Sequence, residues 1–433
     1  MHRMNFGGIG MRVIVLLVAL SPLWTAAATA EPESHESASS DGLFEQVIAS
    51  ITNGKVALDV NLRWENAKID RRERSNALAV RTRLGYGSRP LHGVSGFVEF
   101  ENVASPTSGS YFDGVERDDD GQTIIADPSA TEANRFWLML DRQDWGGTSI
   151  KVGRQRIKLD DDRWVGNVGW RQNEQTYDAV RLQTHLGHDG LLIQYIFAWE
   201  THRIFGDRGP ANRRDFGMKS HLMNLSYDFG AFLRATGFVY LIDVDRSFSR
   251  FTTNTFGVRL AGRSTISDAL VSVYEASWAY QQDGGDGTPD YDAFYYHVAA
   301  GLDLADIGLV KVGYEVLGSD SGNAQVLTPL ATAHKFNGYA DAFLTNGGSR
   351  GLRDIYVVVA PTLPVKALTL KLIFHQFYSD QGSRNLGQEV DAVVLYQCNQ
   401  YLSFMYKLAY YDEGGSSSPE SRTRHFVQTI LRF

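Results

Sequence analysis

The sequence holds one cysteine, Cys398, and eleven prolines in 433 residues. A single cysteine excludes a disulfide framework and any zinc or iron–sulfur site built from several thiolates. Long apolar runs are scarce as well. The most apolar stretch, 13–20, falls short of the ~20 residues a spanning helix needs. With a mean hydropathy of −0.24, a polytopic helical membrane protein is ruled out. Basic charge is also in deficit, with 42 Lys and Arg against 50 Asp and Glu. That balance argues against a generic nucleic-acid binder, which needs a basic surface. What is abundant is glycine (42), phenylalanine (23) and tyrosine (20), a mix that suits a turn-rich β protein. A closed membrane barrel is compatible with this composition, because only every second strand residue must be apolar.

The N-terminus reads as an export signal. Arg3 and Arg12 precede the apolar run, and Ala26-Ala27-Ala28-Thr29-Ala30 supplies small residues for cleavage after Ala30. Residues 1–30 are therefore expected to be a signal peptide, 31–53 a flexible polar lead-in, and 54–433 the working domain.

From residue 54 onward the chain alternates. Val56, Leu58, Val60, Leu62 and Trp64 interleave with Asp59, Asn61, Arg63 and Glu65, and Leu368, Leu370, Leu372 and Phe374 interleave with Thr369, Lys371 and His375. The last strand ends on Phe433. Period two is the mark of strands with one apolar face. About eighteen segments of roughly ten residues fit the chain, the length a tilted strand needs to cross a bilayer. Connections sort by parity. Short turns near 88–93, 143–147, 187–190, 229–231, 262–268, 305–307, 361–365 and 398–400 separate longer polar links, among them 105–133, 159–174, 201–220 and 319–352. An outer-membrane barrel has this asymmetry, with tight turns on the periplasmic side and long loops outside. The expected fold is an all-β transmembrane antiparallel barrel of about 18 strands.

A barrel that wide leaves a water-filled lumen lined by the polar strand faces. Parity assigns Asp59, Asn61, Arg63, Arg81, Arg83, Glu99, Glu101, Lys371, Lys407, Arg424 and Arg432 to that lining. The densest polar stretch runs from Gly153 to Arg181. It carries Arg154, Arg156, Arg163, Arg171 and Arg181 beside Asp160, Asp161, Asp162 and Asp178. Arginine grips carboxylates with a planar fork, so such a ladder could pass an acidic polymer; equally, it could neutralise itself as a salt-bridge mesh. Strict parity from Ile150 and Val152 aims Arg154 and Arg156 at lipid, which predicts a bulge or strand end near Gly153.

At this stretch the sequence resembles the alginate export family of outer-membrane barrels. The resemblance rests on Gly153-Arg154-Gln155-Arg156, Asp161-Asp162-Arg163-Trp164-Val165-Gly166-Asn167, Trp170-Arg171-Gln172 and Tyr177-Asp178-Ala179, and on a second block from Thr328 to Asp341 with Gly351-Leu352-Arg353-Asp354. It implies a monomeric eighteen-stranded barrel passing an anionic polysaccharide outwards. Arg154, Arg156, Arg163, Arg171 and Arg181 would then contact the polymer, and Asp161, Asp162 and Asp178 would orient them. The second block would form a long loop folded over or into the pore. The partners implied are the polysaccharide, outer-membrane lipids and periplasmic secretion proteins, with no nucleic acid and no cofactor. A general or small-acid uptake porin is the alternative from the same pore chemistry. An outer-membrane lipid- or sugar-modifying enzyme is the alternative from another class, but no Ser/His/Asp signature marks one.

Three further motifs read as solvated surface. Glu116, Asp118, Asp120 and Asp127 approach calcium-loop spacing without its terminal ligands. His185 and His188 flank a tight turn, and Arg203, Arg208, Arg213, Arg214 and Lys219 make a basic loop.

Overall fold

The computed structural model describes residues 40–433 except 108–109, 116–120, 188–189, 207–208, 210–214 and 345–347. The proposed signal peptide, the His188 half of the histidine pair, three carboxylates of the calcium-like loop and the arginines 208, 213 and 214 lie outside those residues. Within the lead-in, Ser40–Thr52 form a helix, α1. Leu43, Phe44, Val47, Ile48 and Ile51 recur at helical spacing there, a period that the polar composition just before it concealed.

The strands run in chain order. They are β1 (Lys55–Ile69), β2 (Ser75–Gly87), β3 (Val94–Ala104), β4 (Ala130–Arg142), β5 (Thr148–Gln155), β6 (Thr176–Leu186), β7 (Leu191–His202), β8 (Phe216–Phe229), β9 (Leu233–Ile242) and β10 (Thr253–Ser267). Then follow β11 (Leu270–Asp283), β12 (Asp292–Leu304), β13 (Gly308–Leu317), a two-residue pair β14 (Ser319–Asp320) and β15 (Ala324–Gln325), β16 (Leu352–Pro361), β17 (Leu368–Tyr378), β18 (Asn385–Gln397), β19 (Leu402–Glu413) and β20 (Arg422–Arg432). Apart from β14 and β15 they form one 18-stranded antiparallel sheet in which each strand pairs with its sequence neighbours. β1 meets β20 as well as β2, with Arg63 opposite Gln428 on one side and Ala79 on the other, so the sheet closes. Closure removes every free edge.

Parity of the connections holds around most of the barrel but not at its start, where 70–74 is shorter than 88–93, nor near its end, where 362–367 and 379–384 are equally long. One turn is tighter than expected, because β10 continues to Ser267 and only Asp268 and Ala269 link it to β11.

The two faces of the wall differ as alternation demands. Leu62, Leu84, Phe100, Leu138, Val258, Val298, Val312, Leu372 and Val427 are exposed on the outside, while Asn61, Arg63, Glu65, Arg81, Glu99, Glu101, Asp391 and Lys407 are buried inside. A greasy surface running from strand to strand is untenable in water and fits lipid. A buried row of charges is equally untenable in a dry core unless each is paired.

Candidate functional site: the lumenal constriction

The lumen is not a wide open channel. Loop 156–175 and loop 318–351 both fold inward and meet. Val165 bridges Leu330, the Gly166 amide donates to Leu330 O at 2.8 Å, and the Thr332 amide donates to Asp162 O at 3.1 Å. Apolar residues of the two loops, including Ile157, Leu159, Trp164, Val165, Val326, Leu330 and Phe343, pack with wall residues such as Tyr177, Ile196, Leu222 and Tyr240 into a dry core. The burial of Leu330, with none of its surface exposed, shows how fully the loops are enclosed. This corrects the expectation of a water-filled interior. An 18-stranded barrel is wide, but here the protein's own loops occupy part of its interior.

What stays open is a cavity of about 580 Å³ against β1, β2, β19 and β20. Its charged lining is Arg81, Arg83, Arg156, Lys158, Lys335, Lys407 and Arg432 against Asp59, Asp162 and Glu174. By formal charge, seven basic side chains less three carboxylates leave an excess of four on the lining itself, and Glu101, behind the lining, also pairs with Arg83. The chain as a whole is net negative, so the local field at the constriction opposes the global one, and the local field decides ion preference.

Each cation is held in place. Arg81 Nη2 lies 2.5 Å from Asp59 Oδ1, and Arg432 Nε 2.8 Å from Asp59 Oδ2. Lys158 and Lys335 share Asp162 at 3.3 and 3.5 Å. Glu174 accepts from Arg156 Nε at 2.6 Å, from Asn134 at 2.9 Å and from Asn167 at 2.5 Å, and Arg83 lies 3.4 Å away. Burial alone would push the Glu174 carboxyl up, but Arg83 and Arg156 outweigh it and hold it well below the ordinary carboxylate range. Lys407 meets rings instead. Its Nζ sits 3.4 Å from the Trp170 ring centre and 3.7 Å from that of Tyr339, and hydrogen-bonds His334 Nε2 at 3.1 Å. Ring faces of this kind attract an ammonium group.

Deeper in the loops the arginines are spent on structure. Arg171 bonds Glu65 at 3.2 Å and Asp341 at 2.8 Å, and Arg163 lies 2.9 Å from Glu315 and 3.1 Å from Asn337. Burial works against the charge on Arg171, but Glu65, Asp341 and Asp127 overcome it and raise its pKa. Asn337 in turn donates to Glu315 and Asp354, while Glu389 and Asp391 accept from the amides of Ala340 and Tyr339. These contacts pin the second loop to the wall of β13, β16 and β18.

The expected pore residues therefore separate into groups. Arg81, Arg83, Arg156 and Asp162 line the cavity. Arg63, Arg181 and Lys371 project inward from the wall. Arg63 bonds Gln428 at 2.9 Å, Arg181 bonds Gln183 at 3.1 Å, and Lys371 bonds the Tyr339 hydroxyl at 2.7 Å. Asp161 pairs with Arg259 at 3.4 Å. Arg163 and Arg171 are sealed behind carboxylates and are corrected from polymer contacts to loop anchors. Arg154 and Asp178 are corrected to the outer face. Arg154 stands opposite the exterior Phe136 in the strand register, with its guanidinium 5.1 Å from that ring, and opposite Asp178 on its other side. The pairing of β4 with β5 is regular, so Arg154 keeps the lipid-side parity; the strand ends at Gln155, and that end turns Arg156 inward. Gly153 marks the site with φ +117, and a Cβ there would meet Phe136 O at 2.4 Å. The carboxylates that hold the cavity arginines are Asp59, Glu101 and Glu174, while Asp162 pairs with Lys158 and Lys335. Lys158, Lys335 and His334 were not singled out as cavity lining, whereas Lys407, placed inside by strand parity, does line it.

Residues 94–205, which include the first inward loop, match the family model described as alginate export. Among curated proteins, none matches the chain. Solved structures share the fold. Pseudomonas aeruginosa OccK8 (OprE) superposes with a TM-score of 0.65 at 13% identity over 89% of this chain and 99% of its own. Pseudomonas aeruginosa OpdK with vanillate gives 0.65 at 15% over 88% and 100%, and Acinetobacter baumannii OccAB3 gives 0.66 at 12% over 88% and 100%. Closed strands and a lipid-facing apolar belt converge with these matches: the chain has the 18-stranded fold of bacterial outer-membrane β-barrels, and its residues 94–205 are similar to the alginate export family.

Proposed function

We propose that this channel passes an anionic carbohydrate chain of the polyuronate class, threaded singly through the cationic constriction. The observation that carries the reading is the excess of four positive charges on a cavity of about 580 Å³. Each uronate carboxylate would exchange water for the forks of Arg81, Arg83 and Arg156, whose own carboxylate partners keep any one grip weak enough to release. The family match over the first inward loop supports this substrate. Family and fold are those of channels rather than enzymes, and the reading assigns no catalysis.

A second reading, uptake of small organic acids, is favoured by the loop-filled lumen and by the fold shared with OpdK, a protein solved with vanillate. Single-channel recording in planar bilayers separates the two. Oligouronates that block the current in a length-dependent way support the polymer; block by single-ring carboxylates with none by oligouronates supports the small acid. A cation-selective current overturns both.

A further inference from the structure

The residues that leave the pore in this account, Arg154 and Asp178, belong to a second constellation on the outer wall. In the register of β6 with β7, Asp178 stands opposite Glu200 and Thr176 opposite His202, so the three ionisable side chains share the outside face next to the long-loop end. An irregularity between Asp178 and Ala179, matched by one between Ala198 and Glu200, draws them together there. One ligand atom from each of Asp178, Glu200 and His202 lies within 4.8 Å of the other two. His202 Nε2 is 3.0 Å from Asp178 Oδ2 and 3.9 Å from Glu200 Oε2. Asp178 and His202 are buried, and Glu200 leaves an opening toward solvent.

We propose that Asp178, Glu200 and His202 form a binding site for a divalent cation of the zinc class, outside the pore. One imidazole with two carboxylates is a donor set such ions accept, and their three atoms leave a fourth, outward position for water. The surroundings are built as ligand supports commonly are. Asp215 Oδ2 is 3.1 Å from His202 Nδ1 and anchors the ring from behind, so that a bound ion would take the place of the Nε2 proton between Asp178 and Glu200. Arg154 holds Asp178 with two hydrogen bonds, at 2.9 and 3.2 Å, and so sets the direction of its carboxylate. Asp178, Glu200 and Asp215 against Arg154 leave the cluster negative when His202 is neutral. Asp215 also accepts from the Arg203 amide at 2.6 Å, so a bound ion would tie the loop between β7 and β8 to the strand wall. The competing arrangement has His202 protonated between Asp178 and Asp215, an ion triad with no metal.

The test is calorimetric titration of the purified full-length mature barrel in detergent with zinc chloride, after dialysis against chelator, with magnesium chloride as comparison. Expected are one zinc per chain, a rise in melting temperature with zinc, at least tenfold weaker uptake in His202→Ala and Glu200→Gln, and unchanged uptake in His221→Ala. Folded mobility in unheated gels checks that each variant forms the barrel. Should a variant not fold, the wild-type stoichiometry still decides. Absence of stoichiometric zinc in the wild type, or uptake by His202→Ala equal to it, overturns the site in favour of the ion triad.

Discussion

Removing Lys158 and Lys335 together tests whether the constriction selects by charge. Both side chains are about half exposed and pair with Asp162, at 3.3 and 3.5 Å, and Lys335 also donates to the Asp161 carbonyl at 2.5 Å. Exposed pairs of this kind contribute ~1 kcal/mol or less to folding, so the double variant Lys158→Gln/Lys335→Gln is expected to fold. Its cavity excess falls from four positive charges to two, since two of the seven cations are lost. For an anion passing ~7 Å from each site in a wet lumen, Coulomb's law gives ~0.6 kcal/mol per charge, or ~1.2 kcal/mol in all. That corresponds to a roughly eightfold fall in anion preference. Zero-current potentials across a potassium chloride gradient measure it, at low salt so that the ~10 Å screening length of 0.1 M solution is exceeded. The reversal potential should move toward that of potassium. A potential identical to wild type would refute the claim that these lysines shape the ion path.

Arg154→Gln should leave the same potential unmoved, because Arg154 lies on the outer face. Gly338→Ala should loosen the second inward loop and raise single-channel conductance; Gly338 holds φ +87, and a Cβ there would meet the Glu389 carboxylate at 2.3 Å. Leu138→Arg, on the lipid face, should lower folding stability by ~2–4 kcal/mol if it lies near the midplane, read by urea titration in bilayers. Acid should weaken the loop packing. Burial, reinforced by Lys407 and Arg171 against the pull of Asp341, lowers the His334 pKa to about 3. Between pH ~6.5 and 3 the unfolded chain therefore takes up a proton that the native state refuses, and stability falls as pH falls. Melting temperatures across that window should slope less steeply in His334→Gln.

Alternation, strand count and loop parity together determined that this chain makes a barrel; alternation by itself fixes only that each strand has one wet and one greasy face. The sequence from Val56 to Glu65 already told which side chains face lipid, and loop parity told which end of the barrel is elaborate. Lys407 could be placed inside by the same count. What the order of residues could not show is which charges find each other across the interior. Arg171 meets Glu65 and Asp341, 106 and 170 positions away in the chain, and no local pattern encodes such distances. The inward folding of two loops, the strand end that sends Arg156 inside and leaves Arg154 out, and the narrow cationic cavity that results depend on packing between distant segments. Only the closed wall, by bringing those segments within reach, decided them.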